Sequence, residues 1–408
     1  MKKSVKSDSF TVLLLMEKFK IECILVGVLF NVIVGCHGRS DSCMRLYNEG
    51  GAPAVLQSPE CSFEYIHPKN PNHTTKCQFA SLKGRRKYQE DRVFCDLDMQ
   101  IDLLGNLGPE NVKIGVAAVF DGHGGKEASE LAAQLLPYYI QLHISFLSQK
   151  EMELFEDGHH MAFPLETEFK SLETHLRRRM NESKTMEVIQ EAVLLAVHDI
   201  DLTFSEVALR KHLLSGTTAT IAIFVDNELL VANVGDSKAF LCSEMLQTSV
   251  DTNSKSTSMT SLQVLELTED HHPDRDDENA RITAAGGFVS LLGVPRVNGI
   301  LAVSRSIGDV YLKRYGVIAE PEVKWHHLDA SEVFLVVASD GIFEGLNTQE
   351  VCRLLHEAYS QDENQNYSRS FNCPFSSWAE CIVNKAYEKG STDNLSVVVI
   401  PLRNNVIT

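Results

Sequence analysis

The sequence predicts an α+β fold built on antiparallel β-sheets. Short runs of apolar and β-branched residues recur between residues 93 and 400, and several follow one another with no helical segment between them. Parallel strands need a crossover of a dozen or more residues, whereas antiparallel strands can be joined by a tight turn. Asn227 and Glu228, between two such runs, are typical of a hairpin turn. These observations favour an α+β class over a doubly wound parallel sheet.

Strands, helices and two excursions are predicted along the chain. The runs predicted as strands are residues 93–96, 114–120, 218–225, 229–234, 239–242, 333–338 and 395–400. The segments predicted as helices are residues 127–139, 186–204, 278–285 and 348–358. Residues 243–261 are rich in Ser and Thr without an apolar period, which predicts a long hairpin loop. The charged residues 141–185 are interpreted as a second surface excursion.

The first 36 residues differ from the rest of the chain. Five lysines among the first 20 residues precede an apolar run at 23–35, and a basic flank before a short apolar core is typical of a signal peptide. The run is shorter than the about 20 residues of a spanning helix, so a signal peptide or signal anchor is favoured over a buried N-terminal helix. The lysines would keep the N-terminus in the cytosol. We therefore expect membrane association or targeting to the secretory pathway; the alternative is a cytoplasmic protein.

Composition limits the remaining interpretation. Residues 37–76 are rich in Gly, Pro, Asn and Ser and are interpreted as a linker. The net charge of −17 argues against a nucleic-acid partner, because phosphate backbones bind basic surfaces.

The ten cysteines include no CxxC pair, so neither a zinc site nor a disulfide framework is predicted. Most of the cysteines are expected to be free and buried.

Acidic residues border four of the predicted strands. Glu90 and Asp91 precede the first strand, Asp121 and Asp340 each follow one, and Asp393 lies just before the last. Strand ends on one side of a sheet can bring such carboxylates together, where they repel one another unless cations neutralise them. Oxygen ligands without nearby cysteine suit Mg²⁺ or Mn²⁺. The pattern favours a divalent-metal site over acidic residues that only cap turns.

Two further residues suit phosphate chemistry. Arg86 lies in the same segment as Asp91, and a guanidinium fork matches two phosphate oxygens. His123 lies in the glycine-rich segment VFDGHGG at 119–125, where an imidazole could protonate a leaving oxygen. On the residues alone, a surface arginine and a solvent-exposed loop histidine are the alternative interpretations.

Ten short motifs in order resemble the metal-dependent protein phosphatases of type 2C, the PPM family, and especially its plant branch. They are RKYQED (86–91), VFDGHGG (119–125), SGTTA (215–219), VANVGDS (231–237), LTEDH (267–271), GG (286–287), RVNG (296–299), LAVSRSIGD (301–309), ASDG (338–341) and TDN (392–394). The resemblance covers residues 77–402, which we interpret as the catalytic domain.

The resemblance implies a four-layer α/β/β/α sandwich, in which two antiparallel sheets are flanked by helices. It also implies two Mg²⁺ or Mn²⁺ ions in the active site. The residues that match the family's metal-site residues are Asp121, Gly122, Asp340, Asp393, Glu90 and Asp91. In the family, the residue matching Asp121 bridges the metals and the one matching Gly122 offers its carbonyl oxygen.

The resemblance also implies the reaction. Arg86 matches the phosphate-binding arginine, and His123 matches the proposed general acid. The implied activity is hydrolysis of phosphoserine and phosphothreonine in proteins by direct attack of a metal-activated water. We expect phosphorylated proteins as partners and a monomeric enzyme. The alternatives are a silent pseudophosphatase that only binds partners, although no expected aspartate or arginine is missing, and a metallohydrolase of small phosphate esters.

Overall fold

The structure is a computed structural model. It describes residues 41–59, 61, 77–105, 108–156, 169–248, 258–363 and 377–403. The chain divides into two compact units, residues 1–64 and 65–408. The segment 1–36, predicted as a signal peptide or anchor, lies outside the described residues. Within the described ranges no helix is both long enough and apolar enough to cross a membrane.

The first unit contains a helix in the segment interpreted as a linker. Helix α1 (Asp41–Gln57) is bent at its Gly-Gly pair, where Gly51 has a φ of 63°. Pro53 is tolerated because it lies at the start of the second helical part, where its missing N–H has no partner to lose. Cys43 and Cys61 form a disulfide. Glycine and proline here mark a bend between two helical parts.

The second unit carries the sheets. Its strands are β1 (Gln78–Leu82), β2 (Arg92–Gly105), β3 (Gly108–Phe120), β4 (Gly122–His123), β5 (Gly216–Thr217), β6 (Ala219–Val225), β7 (Glu228–Val234), β8 (Lys238–Thr248), β9 (Ser258–Glu266), β10 (Val289–Leu292), β11 (Val294–Val297), β12 (Ile307–Gly308), β13 (Glu322–His327), β14 (Glu332–Ala338) and β15 (Leu395–Pro401). Its helices are α2 (Glu127–Glu156), α3 (Phe169–Lys211), α4 (Asp276–Ala284), α5 (Val310–Lys313), α6 (Asp340–Phe343), α7 (Thr348–Glu363) and α8 (Trp378–Glu388).

Two five-stranded antiparallel sheets form the centre of this unit. The first has the order β1-β15-β14-β8-β9 and the second has the order β13-β7-β6-β3-β2. Two smaller groups are the three-stranded sheet β12-β5-β4 and the hairpin β10-β11. The predicted α+β class is confirmed, and each predicted strand lies within an observed one or overlaps it.

The side chains of β14 explain the layering. Leu335 and Val337 pack in the core that the two sheets share, while Phe334 and Val336 pack beneath helices α7 and α8. Successive strand side chains point to opposite faces, so β14 is apolar throughout because both of its faces are buried. Helix α2 packs on β2 and β3 at the outside of the second sheet. The arrangement confirms the four-layer sandwich.

Both predicted excursions contain regular structure. Strands β8 and β9 pair as far as Thr248 and Ser258, so the long-loop prediction was wrong for 243–248 and 258–261. Residues 249–257 lie outside the described residues. β-branched threonine is common in strands, so a Thr-rich segment can have a low apolar content and still continue the strand. Much of 141–185 belongs to α2 and α3, where charged residues occur on long helices.

The prediction of free cysteines was wrong for several of them. Cys77 and Cys95 form a disulfide that joins the residue before β1 to strand β2. Cys242 in β8 forms another with Cys352 in α7, which lies 110 residues later in the chain. Pairings of this kind depend on which strand a helix covers. The spacing of cysteines along the sequence therefore does not reveal them.

Candidate active site

Strand ends from both sheets meet at one end of the sandwich. Strand β14 ends shortly before Asp340, and β15 begins shortly after Asp393. Because the two strands pair antiparallel, both carboxylates lie at the same end of the sheet. The same geometry holds in the second sheet, where Arg92 pairs with Phe120, so Asp91 and Asp121 are at one end. The strand-end argument from the sequence therefore brings the predicted aspartates together.

Asp91 is the most deeply buried of these carboxylates, with 2% of the residue exposed. Its Oδ2 accepts a hydrogen bond from Ser339 Oγ at 2.9 Å. Its Oδ1 has no hydrogen-bond partner within the described part of the chain. Burial raises the pKa of Asp91, hydrogen bonds with serine side chains lower it, and the charges of Asp340 and Asp393 raise it, which gives a net pKa of about 7. A buried oxygen without a donor, among other carboxylates, fits a ligand of a hard cation.

Asp121 lies at the centre of the cluster. Burial raises its pKa well above the usual range, and the charges of Asp91, Asp340 and Asp236 add to this effect. Its main chain is fixed by Thr218, whose Oγ1 accepts from the Asp121 N–H at 3.0 Å. Asp121 and Asp340 keep partial contact with solvent, so an ion can reach the cluster.

Asp236 is a site residue that the sequence interpretation missed. It follows strand β7 within the motif VANVGDS, to which no role was given. Burial raises the pKa of Asp236 to about 7, and the charge of Asp340 also raises it. The strand-end rule that selected Asp121 and Asp340 applies equally to Asp236, so the same argument could have found it.

Gly122 and Glu90 are held in close contact. A Cβ on Gly122 would lie 2.3 Å from the main-chain oxygen of Glu90 and 2.8 Å from Ser129 Oγ. Ser129 Oγ also donates a hydrogen bond to that oxygen. Only glycine allows this approach. The Asp-Gly order of the motif therefore places the segment with Glu90 against the segment with Asp121.

Asn394 holds the loop that joins β1 to β2. Its Oδ1 accepts from the Glu90 N–H at 2.8 Å. Its Nδ2 donates to the main-chain oxygens of Lys83 at 2.8 Å and Tyr88 at 2.9 Å. The sequence interpretation used only the neighbouring Asp393. Asn394 secures both ends of the segment that carries Arg86.

Arg86 lies at the mouth of the site. Its Nη2 is 2.5 Å from Asp393 Oδ2, and 55% of its side chain is exposed. Burial and the charge of Asp340 raise the pKa of Asp393, while Arg86 lowers it. An exposed guanidinium beside the carboxylate cluster is available to an incoming anion.

His123 pairs with an aspartate that had no assigned role. Its Nε2 lies 2.7 Å from Asp309 Oδ2. Burial lowers the pKa of His123, but the charge and hydrogen bond of Asp309 act against it, with Asp236 and Glu90, so the net pKa is raised. The imidazole is one-third exposed and lies on the same strand as Gly122.

Comparison with known proteins identifies the chain's relatives. The family described as protein phosphatase 2C matches residues 75–395. This chain belongs to the protein phosphatase 2C family. It is similar to probable protein phosphatase 2C 51 of Arabidopsis thaliana, with 41% identity over 94% of this chain and 83% of the relative. It is also similar to putative protein phosphatase 2C 76 of Oryza sativa subsp. japonica, with 40% identity over 90% of this chain and 85% of the relative.

A solved structure shares the fold of this phosphatase 2C. It is a serine-threonine phosphatase 2C from Toxoplasma gondii, which aligns with a TM-score of 0.57 and 20% identity over 80% of this chain and 94% of that one. The predicted family membership is confirmed, and the chain is a protein-serine/threonine phosphatase.

A second acidic group in this phosphatase 2C is neutralised by arginines. Carboxylate oxygens of Asp277, Glu278 and Glu322 lie within 4.8 Å of one another. Arg281 and Arg305 both pair with the buried Glu278, and Arg305 also pairs with Glu322. Removing either partner of a buried pair is costly, so this group holds α4 in place. The carboxylates around Asp121 are the better candidate metal site.

Proposed function

We propose that this phosphatase depends on two Mg²⁺ or Mn²⁺ ions held by the carboxylate cluster. The residues assigned as ligands, directly or through water, are Asp121, Gly122, Asp340, Asp393, Glu90, Asp91 and Asp236. The observation that carries the proposal is the buried Asp91 Oδ1, which has no hydrogen-bond donor among the described residues. Raised pKa values at Asp91, Asp121 and Asp236 have the same physical cause, because burial and mutual repulsion disfavour the charged carboxylates.

Bound divalent ions supply a water activated for attack on phosphorus and offset charge on the phosphoryl oxygens. Side chains of the protein bind the phosphoryl group and supply a proton. Arg86 binds two phosphoryl oxygens with its guanidinium fork. His123 protonates the oxygen of the departing serine or threonine. The donor set of carboxylate and main-chain oxygens suits hard cations and offers no thiolate for a covalent phosphoenzyme.

Metal dependence is tested by activity on p-nitrophenyl phosphate and on a phosphothreonine peptide. We expect EDTA to abolish turnover and added Mn²⁺ to restore it. Asp121→Ala, Asp340→Ala and Asp393→Ala should each abolish turnover, because each removes a carboxylate from the cluster. Retained activity in all three variants would contradict the proposal. Two bound Mn²⁺ per chain without turnover would instead favour a silent pseudophosphatase.

The substrate class is tested with matched phosphate esters. We propose phosphoserine and phosphothreonine proteins as substrates, in agreement with the names of the relatives. A phosphothreonine peptide and a set of sugar phosphates are compared at equal concentration by phosphate release. Faster hydrolysis of the sugar phosphates would favour a hydrolase of small esters. The monomeric state stays a prediction, and the molar mass from light scattering tests it.

We also propose that the chain enters the secretory pathway or is held at a membrane by residues 1–36. Disulfides persist in oxidising compartments and are rare in the cytosol. Three disulfides join described cysteines: Cys43–Cys61, Cys77–Cys95 and Cys242–Cys352. A C-terminal fluorescent fusion imaged with and without residues 1–36 tests the proposal. A full-length, uncleaved and purely cytosolic product would contradict it.

A further inference from the structure

The three-stranded sheet β12-β5-β4 brings His123 against Asp309. Strand β5 lies in the middle, with His123 of β4 paired to Gly216 on one side and Gly308 of β12 paired to Gly216 on the other. Asp309 follows Gly308 directly. Residues that are 186 positions apart in the chain therefore meet above one glycine.

Gly216 leaves the space that the contact occupies. A Cβ at this position would lie 1.9 Å from Asp309 Oδ2 and 2.6 Å from His123 Nε2. No residue other than glycine fits there without separating the imidazole from the carboxylate. The motif SGTTA therefore supplies a residue without a side chain next to the contact between His123 and Asp309.

The carboxylate of Asp309 is held from several sides. It is fully buried, and its Oδ2 accepts from Ser306 Oγ at 2.7 Å as well as contacting His123. The main chain of Asp309 has a φ of 47°, a left-handed conformation that is uncommon for residues other than glycine. Its N–H donates to the Ser215 main-chain oxygen at 3.2 Å. Backbone strain of this kind persists where the surroundings enforce it.

Gly308, the residue before Asp309, is held by a hydrogen bond to helix α3. Asp201 Oδ1 accepts from the Gly308 N–H at 2.7 Å and from Lys313 Nζ at 2.9 Å. Lys313 Nζ also donates to the Ser306 main-chain oxygen at 2.8 Å. These contacts support the turn but do not reach the imidazole. Asp201 is therefore a matched control for Asp309.

We propose that Asp309 is the positioning residue for His123. It accepts the hydrogen bond from Nε2–H, which fixes the ring orientation and leaves Nδ1 to carry the proton for the leaving group. This inference rests on the proposed function, in which His123 is the general acid. When the P–O bond breaks, its electron pair stays on the serine or threonine oxygen, and that oxygen takes the proton from His123 Nδ1. Water forms the new P–O bond and loses one proton to solvent, from which His123 Nδ1 regains the proton it gave to the leaving group. The imidazole keeps its Nε2–H directed at Asp309 throughout.

The test compares two leaving groups in Asp309→Asn. A threonine alkoxide needs a proton as it leaves, whereas p-nitrophenolate is stable without one. General acid catalysis contributes about 10²–10⁴-fold, so we expect a loss of about 10²-fold in kcat on a phosphothreonine peptide and a much smaller loss on p-nitrophenyl phosphate. Asp201→Asn should change both rates by the same factor.

A double variant separates this inference from the proposed function. In the background of His123→Ala, adding Asp309→Asn should cause no further loss on the peptide, because the residue it positions is gone. Equal losses on both substrates, or additive losses in the double variant, would overturn the positioning role. If His123→Ala lowers kcat by the same factor on both substrates, then His123 is not the general acid, and the proposed function rather than the role of Asp309 is contradicted.

A measurement on the unmodified chain covers the case in which Asp309→Asn does not fold. Nitrogen-15 NMR of the His123 ring in its neutral form distinguishes the two tautomers. We expect the proton on Nε2, facing Asp309. A proton on Nδ1 would overturn the inference.

Discussion

Arg86 Nη2 lies 2.5 Å from Asp393 Oδ2, so the proposed phosphate-binding arginine touches a proposed metal ligand. The contact lowers the pKa of the Asp393 carboxyl group, but burial and the charge of Asp340 outweigh it, so the net pKa is raised. Only part of the guanidinium is used by Asp393, and the rest faces solvent. We infer that the arginine favours the charged form of Asp393 and presents its remaining N–H groups to a phosphate.

Replacement of Arg86 should weaken the binding of substrate phosphate. Hydrogen bonds to charged groups contribute about 1.5–3 kcal/mol, so Arg86→Ala should lower kcat/KM for a phosphothreonine peptide by about 10- to 150-fold. Arg86→Lys should recover only part of this, because lysine keeps the charge and loses the fork. Steady-state kinetics measure the effect. Arg85→Ala is the matched control, since the Arg85 guanidinium binds the main-chain oxygens of Gly390 and Ser391, and an equal loss there would contradict the assignment.

Replacement of Asn394 should loosen the loop that carries Arg86. Asn394→Ala leaves the main-chain oxygens of Lys83 and Tyr88 and the N–H of Glu90 without their side-chain partner. An unsatisfied buried group costs about 1–3 kcal/mol. We expect lower stability in urea unfolding and faster amide exchange across residues 83–90. Unchanged exchange in this loop would show that other contacts hold it.

Removal of the Cys242–Cys352 disulfide should destabilise the whole domain. The bond closes a loop of 110 residues, and the chain-entropy account gives about 4–5 kcal/mol for loops near that length. The double variant Cys242→Ser, Cys352→Ser should therefore unfold at lower urea than the parent chain. Dithiothreitol should lower the midpoint of the parent more than that of the variant. Equal shifts in both would indicate that this disulfide is absent in solution.

Acidification should destabilise the domain through His271. Burial and the charge of Arg305 lower the pKa of this imidazole, Glu322 and Glu278 oppose them, and the net pKa is about 4. The unfolded chain, with a histidine pKa near 6.5, binds the proton first as the pH falls. Stability is therefore complete above about pH 6.5 and is lost between there and about pH 4, by roughly 3 kcal/mol.

Urea unfolding between pH 4 and pH 7.5 measures this slope. In His271→Gln the titrating group is gone, so stability at pH 7 is lower but its change with pH is flatter. Lys324→Gln on β13, which introduces no group that titrates in this range, serves as a surface control and should leave the slope unchanged. An identical slope in His271→Gln would assign the acid sensitivity to other groups.

Strand ends were predictable because apolar runs end where the chain leaves the sheet. Asp121 and Asp340 could be selected for that reason, and antiparallel pairing then brought them together. Asp309 and Asn394 could not be selected in this way, because they act through hydrogen bonds to segments that are distant in the chain. The α+β class followed from successive apolar runs without helices between them and from a hairpin turn, which are local, whereas the four-layer sandwich followed from the family resemblance. The disulfides depend on tertiary packing, and local patterns carry no information about it.

The bond between Cys77 and Cys95 makes a covalent ring around the segment that holds Arg86, Glu90 and Asp91. While the ring is closed, thermal motion of that segment is restrained at both ends. Reduction of the bond would open the ring, and the hydrogen bonds from Asn394 to this segment would then carry more of the restraint.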